Sequence, residues 1–414
     1  MAETAALPGK TPLSRRQLGQ LVFLGAVTFF DGYDFTAISQ LLPNLRPTFG
    51  LDQAQAGVLI ACINLGAVAA CLLARAADRL GRRRLLLLTA AGYTVASFAS
   101  GLATSAWMFG ALQFFGRMFL IADTVVAVVY AAEEFPADRR GLAIGIVQGF
   151  FSLGAVACAG VAPLLLRTAW GWRGVYLLGG VSILALIPGR RGLPETRRFI
   201  AEARAPGAGA ASFWAIWRGP YRRRMLLLSL IWACTFACTQ SGVTFWKEFA
   251  VAQRGFSDAQ VGAAIGIAAL AALPLIFCAG ALLDRAGRRA GAAVIFGVEV
   301  AGALGSYSLH GFWPLTGALV LGIFGSSAVL LVLNTYTAEL FPTGQRGGAF
   351  AWSNNLLGRA GYVLSPLLVG YVASLTDWGF AVRLTAAGPV LALVLLLAVA
   401  PETRARELED TAKL

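Results

Sequence analysis

The 414-residue chain has a single histidine, His310, and six cysteines, no two of them in a CxxC pair. Zinc and c-type haem sites need His and Cys at fixed short spacings, so these, and a His-based proton relay, are close to excluded. Cys62, Cys71, Cys158, Cys234, Cys238 and Cys278 each fall inside an apolar run, where a small thiol packs as a hydrophobe. No disulfide framework follows. Charge is scarce as well: 13% of residues are Asp, Glu, Lys or Arg, and 57% are hydrophobic, whereas a soluble chain carries about 25% charged residues. That is too little polar material to clothe a soluble core of this size. Lipid is therefore the expected solvent for most of the chain. No nucleophile and base pair is visible, and no phosphate-cradling glycine loop ending in Lys, so an enzyme is disfavoured.

What charge there is favours one sign, 34 Lys plus Arg against 21 Asp plus Glu, a net +13. A basic total can signal nucleic acid, so the positions decide. Apolar runs of the roughly 20 residues that span a bilayer recur near 18–42, 55–74, 85–103, 107–131, 142–166, 174–189, 225–246, 259–283, 290–309, 313–336, 348–373 and 379–399. Twelve helices put both termini on one side. With the N-terminus inside, 26 of the 34 basic residues face the cytoplasm, six face out, and Arg117 and Arg359 lie within spans. The positive-inside rule fixes that orientation and leaves the +13 without nucleic-acid meaning. Residues 1–17 read as a cytoplasmic segment whose following apolar run has no cleavage site, so the first helix is retained. The chain divides into a half at 18–189, a linker at 190–224, a second half at 225–399 and a tail at 400–414. The dominance of Arg, Ala and Gly points to a bacterial genome and hence to the inner membrane.

The halves repeat. Asp78-Arg79-Leu80-Gly81-Arg82-Arg83 returns as Asp284-Arg285-Ala286-Gly287-Arg288-Arg289, an offset of 206, and Glu133, Pro136, Arg140 and Gly141 return at that offset as Glu339, Pro342, Arg346 and Gly347. Pro194-Glu195-Thr196 returns as Pro401-Glu402-Thr403 at 207, and Ala54-Gln55-Ala56-Gly57 as Ala259-Gln260-Val261-Gly262 at 205. Both halves start inside, so they are parallel repeats about an axis along the membrane normal. The DRxGRR loops, the ExxPxxxRG segments and the PET motifs resemble the major facilitator superfamily over essentially the whole length. Asp31-Gly32-Tyr33-Asp34, followed by Leu42-Pro43, is most similar to its metabolite and aromatic-acid proton symporters. The resemblance implies an all-α fold of twelve transmembrane helices in two pseudo-symmetric halves, with alternating access around a central site. One departure stands out: Gln113 takes the place of the family's usual helix-4 arginine, and Arg117 carries the charge one turn deeper.

Asp78, Arg79, Gly81, Arg82 and Arg83, with Asp284, Arg285, Gly287 and Arg288, combine a tight turn with carboxylate and guanidinium groups at the membrane surface. They are expected to act as a gate latch, supported by Glu133, Arg140, Glu339 and Arg346. Ionisable groups within spans carry the stronger functional signal, because each costs about 2.5–3.5 kcal/mol or more at the helix centre. Asp31 and Asp34 share a helix face, and two such carboxylates cannot easily both ionise; with Asp123 they are the expected proton-coupling residues. Arg117 is either a counter-ion to one of these or a substrate anchor. Arg359 either holds a substrate carboxylate in a bidentate fork or pairs with Glu299. Gln148, Gln240, Asn334, Tyr336 and Asn355 are candidates to line the cavity. The expected protein is a monomeric symporter of a small organic anion, aromatic by resemblance, with the proton as its only coupling agent and no cofactor or metal. A sugar or polyol porter, a drug/proton antiporter or a transport-inactive sensor are the alternatives.

Overall fold

The computed structural model describes residues 13–184, 193–196, 200, 215–218 and 220–402. Among these residues helix is the only regular structure. The first half comprises α1 (Arg15–Phe49), α2 (Gln53–Leu80), α3 (Arg82–Gly101), α4 (Ala106–Glu134), α5 (Ala137–Leu165) and α6 (Gly171–Gly179, continued by a 3₁₀ turn). The second comprises α7 (Arg222–Thr244), α8 (Asp258–Ala286), α9 (Arg288–Ser306), α10 (Phe312–Glu339), α11 (Gly348–Leu375) and α12 (Trp378–Val399). Ten of the twelve are long and apolar enough to cross a bilayer. α3 opens on three arginines and is rich in Ser and Thr, and α6 is described only as far as residue 184. Most of the 190–224 connection, the tail beyond 402 and residues 1–12 lie outside the described residues.

Helix ends follow local chemistry. α1 starts earlier than its apolar run because Ser14 and Gln17 form a reciprocal capping box, which satisfies two orphan N–H groups. It continues through Pro43 and Pro47 to Gly50, whose φ of 64° stops it. Capping boxes also start α2 (Asp52 with Gln55) and α8 (Ser257 with Gln260). These are the glutamines of the Ala-Gln-x-Gly repeat, and the glycine two residues on does a separate job in both halves. A Cβ at Gly57 would lie 2.4 Å from the carbonyl oxygen of Pro366 in α11, and one at Gly262 2.8 Å from that of Ala159 in α5. The repeat therefore caps a helix and permits backbone-to-backbone contact between halves.

Both contacts lie toward the face opposite the DRxGRR loops, here called the far face. Arg46, at the end of α1, pairs there with Glu248 of the short helix Trp246–Arg254. Asn64 Nδ2 donates to the carbonyl oxygen of Tyr362 at 2.9 Å nearer mid-membrane. On the motif face, Cβ positions at Gly141, Gly145 and Gly149 of α5 and at Gly280 of α8 meet nothing within 4 Å. The cleft is closed at the far face and open at the motif face.

Candidate functional site

The motif-face charges are organised within each half. Gly81 and Gly287 both adopt φ 93°, a conformation that favours glycine, and each turns the chain straight into α3 or α9. The Glu195 carboxylate accepts from the backbone N–H groups of Arg82 (2.8 Å) and Arg83 (3.1 Å), and Glu402 accepts from those of Arg288 (2.9 Å) and Arg289 (3.0 Å). Each PET glutamate thus sits where a helix N-terminus favours an anion. Arg82 Nε donates to Glu133 and Arg288 Nε to Glu339, both at 3.3 Å. Asp284, expected to latch the two halves, accepts from Arg288 of its own half at 2.9 Å and is exposed, as is Arg285. The side chains of Asp78, Arg79, Arg140 and Arg346 lie outside the described ones.

Inside the membrane the first half gathers three aspartates. Asp31 and Asp123 are fully buried, and Asp31 Oδ1 and Asp123 Oδ2 are left without a hydrogen-bond partner. Asp123 Oδ1 accepts from Thr89 Oγ1 at 2.6 Å, and Asp31 Oδ2 from Thr124 Oγ1 at 3.2 Å. Thr124, next to Asp123 in sequence, thus ties Asp31 to α4, and two buried carboxyl groups so placed cannot easily both ionise. Asp34 turns to another neighbour, accepting from Ser97 Oγ of α3 at 2.8 Å. Three residues along a helix put Asp31 and Asp34 some 60° apart, enough for one to meet α4 and the other α3. The shared face expected from sequence thus serves two sites, with Asp34 and Arg117 lining a small cavity of about 10 Å³.

Arg117 and Arg359 are 5% and 9% exposed. Among the described residues neither makes an ion pair. Arg117 Nη1 and Arg359 Nε and Nη1 are buried without an acceptor. Each guanidinium instead lies over an aromatic ring, Arg117 over Phe35 at 4.3 Å and Arg359 over Tyr362 at 5.2 Å, a cation–π seat. The pairing of Arg359 with Glu299 is not made: Glu299 is 1% exposed with both oxygens unpartnered, packed against Gly325 of α10. Arg359 directly follows a π-helical stretch, Ala351–Gly358, a distortion common at functional sites.

The other cavity candidates scatter. Asn355 lies in that π stretch, partly buried. Gln148 is exposed on the stripe of α5 that, 11 residues on, meets α8 at Ala159. Gln240 is buried and bonds within its own helix to Thr244 Oγ1 at 3.0 Å, and Asn334 is exposed. Tyr336 sits near the motif face, lining a cavity with Arg224, Leu396 and Pro401, in place of the mid-membrane cleft. Its repeat counterpart Tyr130 accepts from Gln20 at 3.2 Å and donates to the carbonyl oxygen of Pro194 at 2.9 Å. Sequence reading passed over Thr89, Ser97 and Thr124; hydroxyls on helices beside an acid-bearing span were the available signal. It also passed over Phe35, next to Asp34, and Tyr362, three residues from Arg359, and Arg46 with Glu248.

Far-face closure centres on that last pair. Arg46 contacts Glu248 and lies 5.5 Å over the Trp378 ring, which stacks on Phe245 at 4.9 Å. Lys247 Nζ reaches Asp258 Oδ1 at 2.6 Å. Burial pushes the Glu248 carboxyl above the ordinary carboxylate range, against the pull of Arg46 and Lys247.

Two parallel six-helix repeats around a charged, mid-membrane cleft open to one face define a secondary transporter, a multi-pass membrane protein and not an enzyme. The chain belongs to the Major Facilitator Superfamily, whose profile matches residues 24–354 and 244–413. It is similar to a putative niacin/nicotinamide transporter, NiaP, of Bacillus subtilis (27% identical, 96% of this chain and 99% of that one). It is also similar to a gallate transporter of Pseudomonas putida (25% identical, 88% and 87%). Among solved structures, an inward-facing, unoccupied bacterial homologue of the human lysosomal transporter Spinster matches the fold with TM-score 0.74, at 16% identity over 94% of this chain and 97% of that one.

Proposed function

We propose that this transporter carries a small aromatic organic acid together with a proton across the bacterial inner membrane. The observation that carries the reading is the pair of buried guanidinium groups without carboxylate partners, Arg117 and Arg359, beside three buried aspartates. A buried charge left unpaired is costly, and a substrate carboxylate supplies the missing partner in a bidentate, charge-assisted form. Asp31 and Asp123 are the proposed proton carriers, and Asp34 lines one cavity with Arg117, where its charge can respond to substrate binding. The names of the relatives, niacin and gallate transporters, support an aromatic carboxylate. With 26 of 34 basic residues on the motif face, that face is cytoplasmic, and the conformation is inward-open.

Purified protein in liposomes should accumulate radiolabelled niacin or gallate under an inward proton gradient and leave xylose outside. Arg359→Gln should weaken substrate affinity about 10- to 100-fold, the worth of a hydrogen bond to a charged group. Unchanged affinity in that variant, or uptake of the neutral sugar instead, would replace the organic-acid reading with that of a sugar porter.

A further inference from the structure

We propose that the second half carries a phospholipid site at the motif face, which takes an anionic headgroup on Arg224 and the ester region beneath it against Tyr336. It stands apart from the cleft and from whatever the cleft carries. The observation behind it is a broken copy. In the first half Tyr130 is buried and its hydroxyl is engaged twice, accepting from Gln20 Nε2 at 3.2 Å and donating to the Pro194 carbonyl oxygen at 2.9 Å. Tyr336 holds the same place in the repeat and is 0% exposed, yet its hydroxyl has no partner. Two substitutions separate the copies. At the 206-residue offset Gln20 becomes Leu226, which is exposed, and at the 207-residue offset of the PET motif Leu193, buried in the first-half core, becomes Ala400. Where the first half is filled, the second has a cavity of about 60 Å³, bounded by the start of α7 and the ends of α10 and α12.

A space of this size has room for roughly four to six water-sized groups, enough for an ester and the methylenes beside it. Its walls are apolar, from Leu228, Ile231 and Leu396, and its two polar side chains, Arg224 and Tyr336, both donate. The matching ligand therefore brings acceptors at two levels and apolar surface around them. A phospholipid does so: its phosphate lies at the membrane surface, its ester carbonyls just beneath, and its chains below. Leaving a buried hydroxyl unpaired is costly, and an ester carbonyl supplies the acceptor that Pro194 supplies in the first half. Arg224 is partly buried with its guanidinium 5.7 Å over the Tyr221 ring, and Arg222 and Arg223 beside it are exposed. Three guanidinium groups at a membrane surface favour an anionic headgroup. Val399 at the cavity, with Leu226 and Leu230 along α7, is exposed and gives the chains a path into the bilayer.

The test is native mass spectrometry of the purified, delipidated full-length protein titrated with dioleoyl phosphatidylglycerol. The wild type should retain one such lipid about tenfold more tightly than dioleoyl phosphatidylcholine. Ala400→Leu, which restores the first-half side chain and fills the cavity, and Arg224→Gln should each weaken that adduct about tenfold or more. Tyr336→Phe should weaken it about threefold, and Tyr130→Phe, whose hydroxyl is already served by the protein, should leave it unchanged. Because Tyr336→Phe removes an oxygen that no protein group needs, it keeps the test decisive where Ala400→Leu fails to fold. Wild-type affinity in Ala400→Leu and Tyr336→Phe would mean that the cavity holds water only, and an equal loss in Tyr130→Phe would place the lipid elsewhere; either overturns the site. Release of the lipid by inorganic phosphate at constant ionic strength would overturn the lipid as occupant and leave a free anion in its place.

Discussion

At the motif face the two halves are copies of one another. Arg82, Glu133 and Glu195 recur as Arg288, Glu339 and Glu402, with the same 3.3 Å Nε contact and the same φ of 93° at the preceding glycine. At mid-membrane they are unlike. Where the first half carries Asp31, Asp34, Thr89, Ser97, Arg117 and Asp123, the second, at the 206-residue offset, carries Ala237, Gln240, Ile295, Ala303, Ile323 and Val329. The second half supplies Arg359 and a single acid, Glu299. The surface turns hold each half together and are under the same demand twice; proton handling, on the function proposed above, need exist only once, and that proposal assigns it to the first half.

The largest expected effect tests that division. Asp31→Asn and Asp123→Asn each remove a carboxyl from the proposed proton site, and proton-driven uptake in liposomes should fall about 100-fold, toward the upper range of coupling between sites. Exchange of external for internal substrate at equal pH should persist. Glu299→Gln, a neutral replacement for an acid that no basic group faces, should leave proton-driven accumulation intact. If Glu299→Gln abolishes accumulation while exchange continues, the second half handles protons as well and the asymmetry is wrong.

A smaller effect tests the symmetric side. Glu195→Gln and Glu402→Gln each replace a carboxylate that accepts two backbone N–H groups at a helix start. Each should cost about 1–2 kcal/mol of stability, seen as equal drops in thermal unfolding temperature. Losses differing by more than about 0.5 kcal/mol would mean that the matching geometry hides unequal roles.

The same contrast explains what could be read from sequence. The scaffold was legible because its chemistry is local and repeated: Asp-Arg-x-Gly-Arg-Arg fixes a glycine turn and a helix start, and the Ala-Gln-x-Gly repeat fixes a capping box and a close approach. The partners of the PET glutamates were less so, because Glu195 and Arg82 are 113 residues apart and meet only when α3 and the end of the first half are brought together. The interior was legible in its residue types and not in its pairings. Helical spacing placed Asp31 beside Asp34, but rotation about α1 sends them to Thr124 on one side and Ser97 on the other. Nor does the π-helical stretch before Arg359 have any signal in Ala-Trp-Ser-Asn-Asn-Leu-Leu-Gly; just beyond it α11 meets α7 so closely that a Cβ at Gly361 would fall 2.0 Å from the carbonyl oxygen of Ala233.

The smallest expected effect lies at the far face, where contact between the halves includes a titratable pair. Glu248 is 3% exposed beside Arg46, and its carboxyl is raised above the ordinary value because burial outweighs the attraction of Arg46 and Lys247. When the far face opens, the group becomes hydrated and returns toward the ordinary value near ~4.3. The closed state therefore binds the proton more tightly, and linkage favours closure as pH falls through the raised value and weakens it as pH rises past that point. Hydrogen exchange of Trp246–Arg254, corrected for its intrinsic pH dependence, should slow in the wild type as the far-side pH is lowered into that window. In Glu248→Gln, which mimics the neutral form, it should stay slow and flat with pH. The opposite slope in the wild type, faster exchange in acid, would mean that the ion pair with Arg46 dominates the closed state, and the far face would then open in response to the same proton gradient that drives uptake.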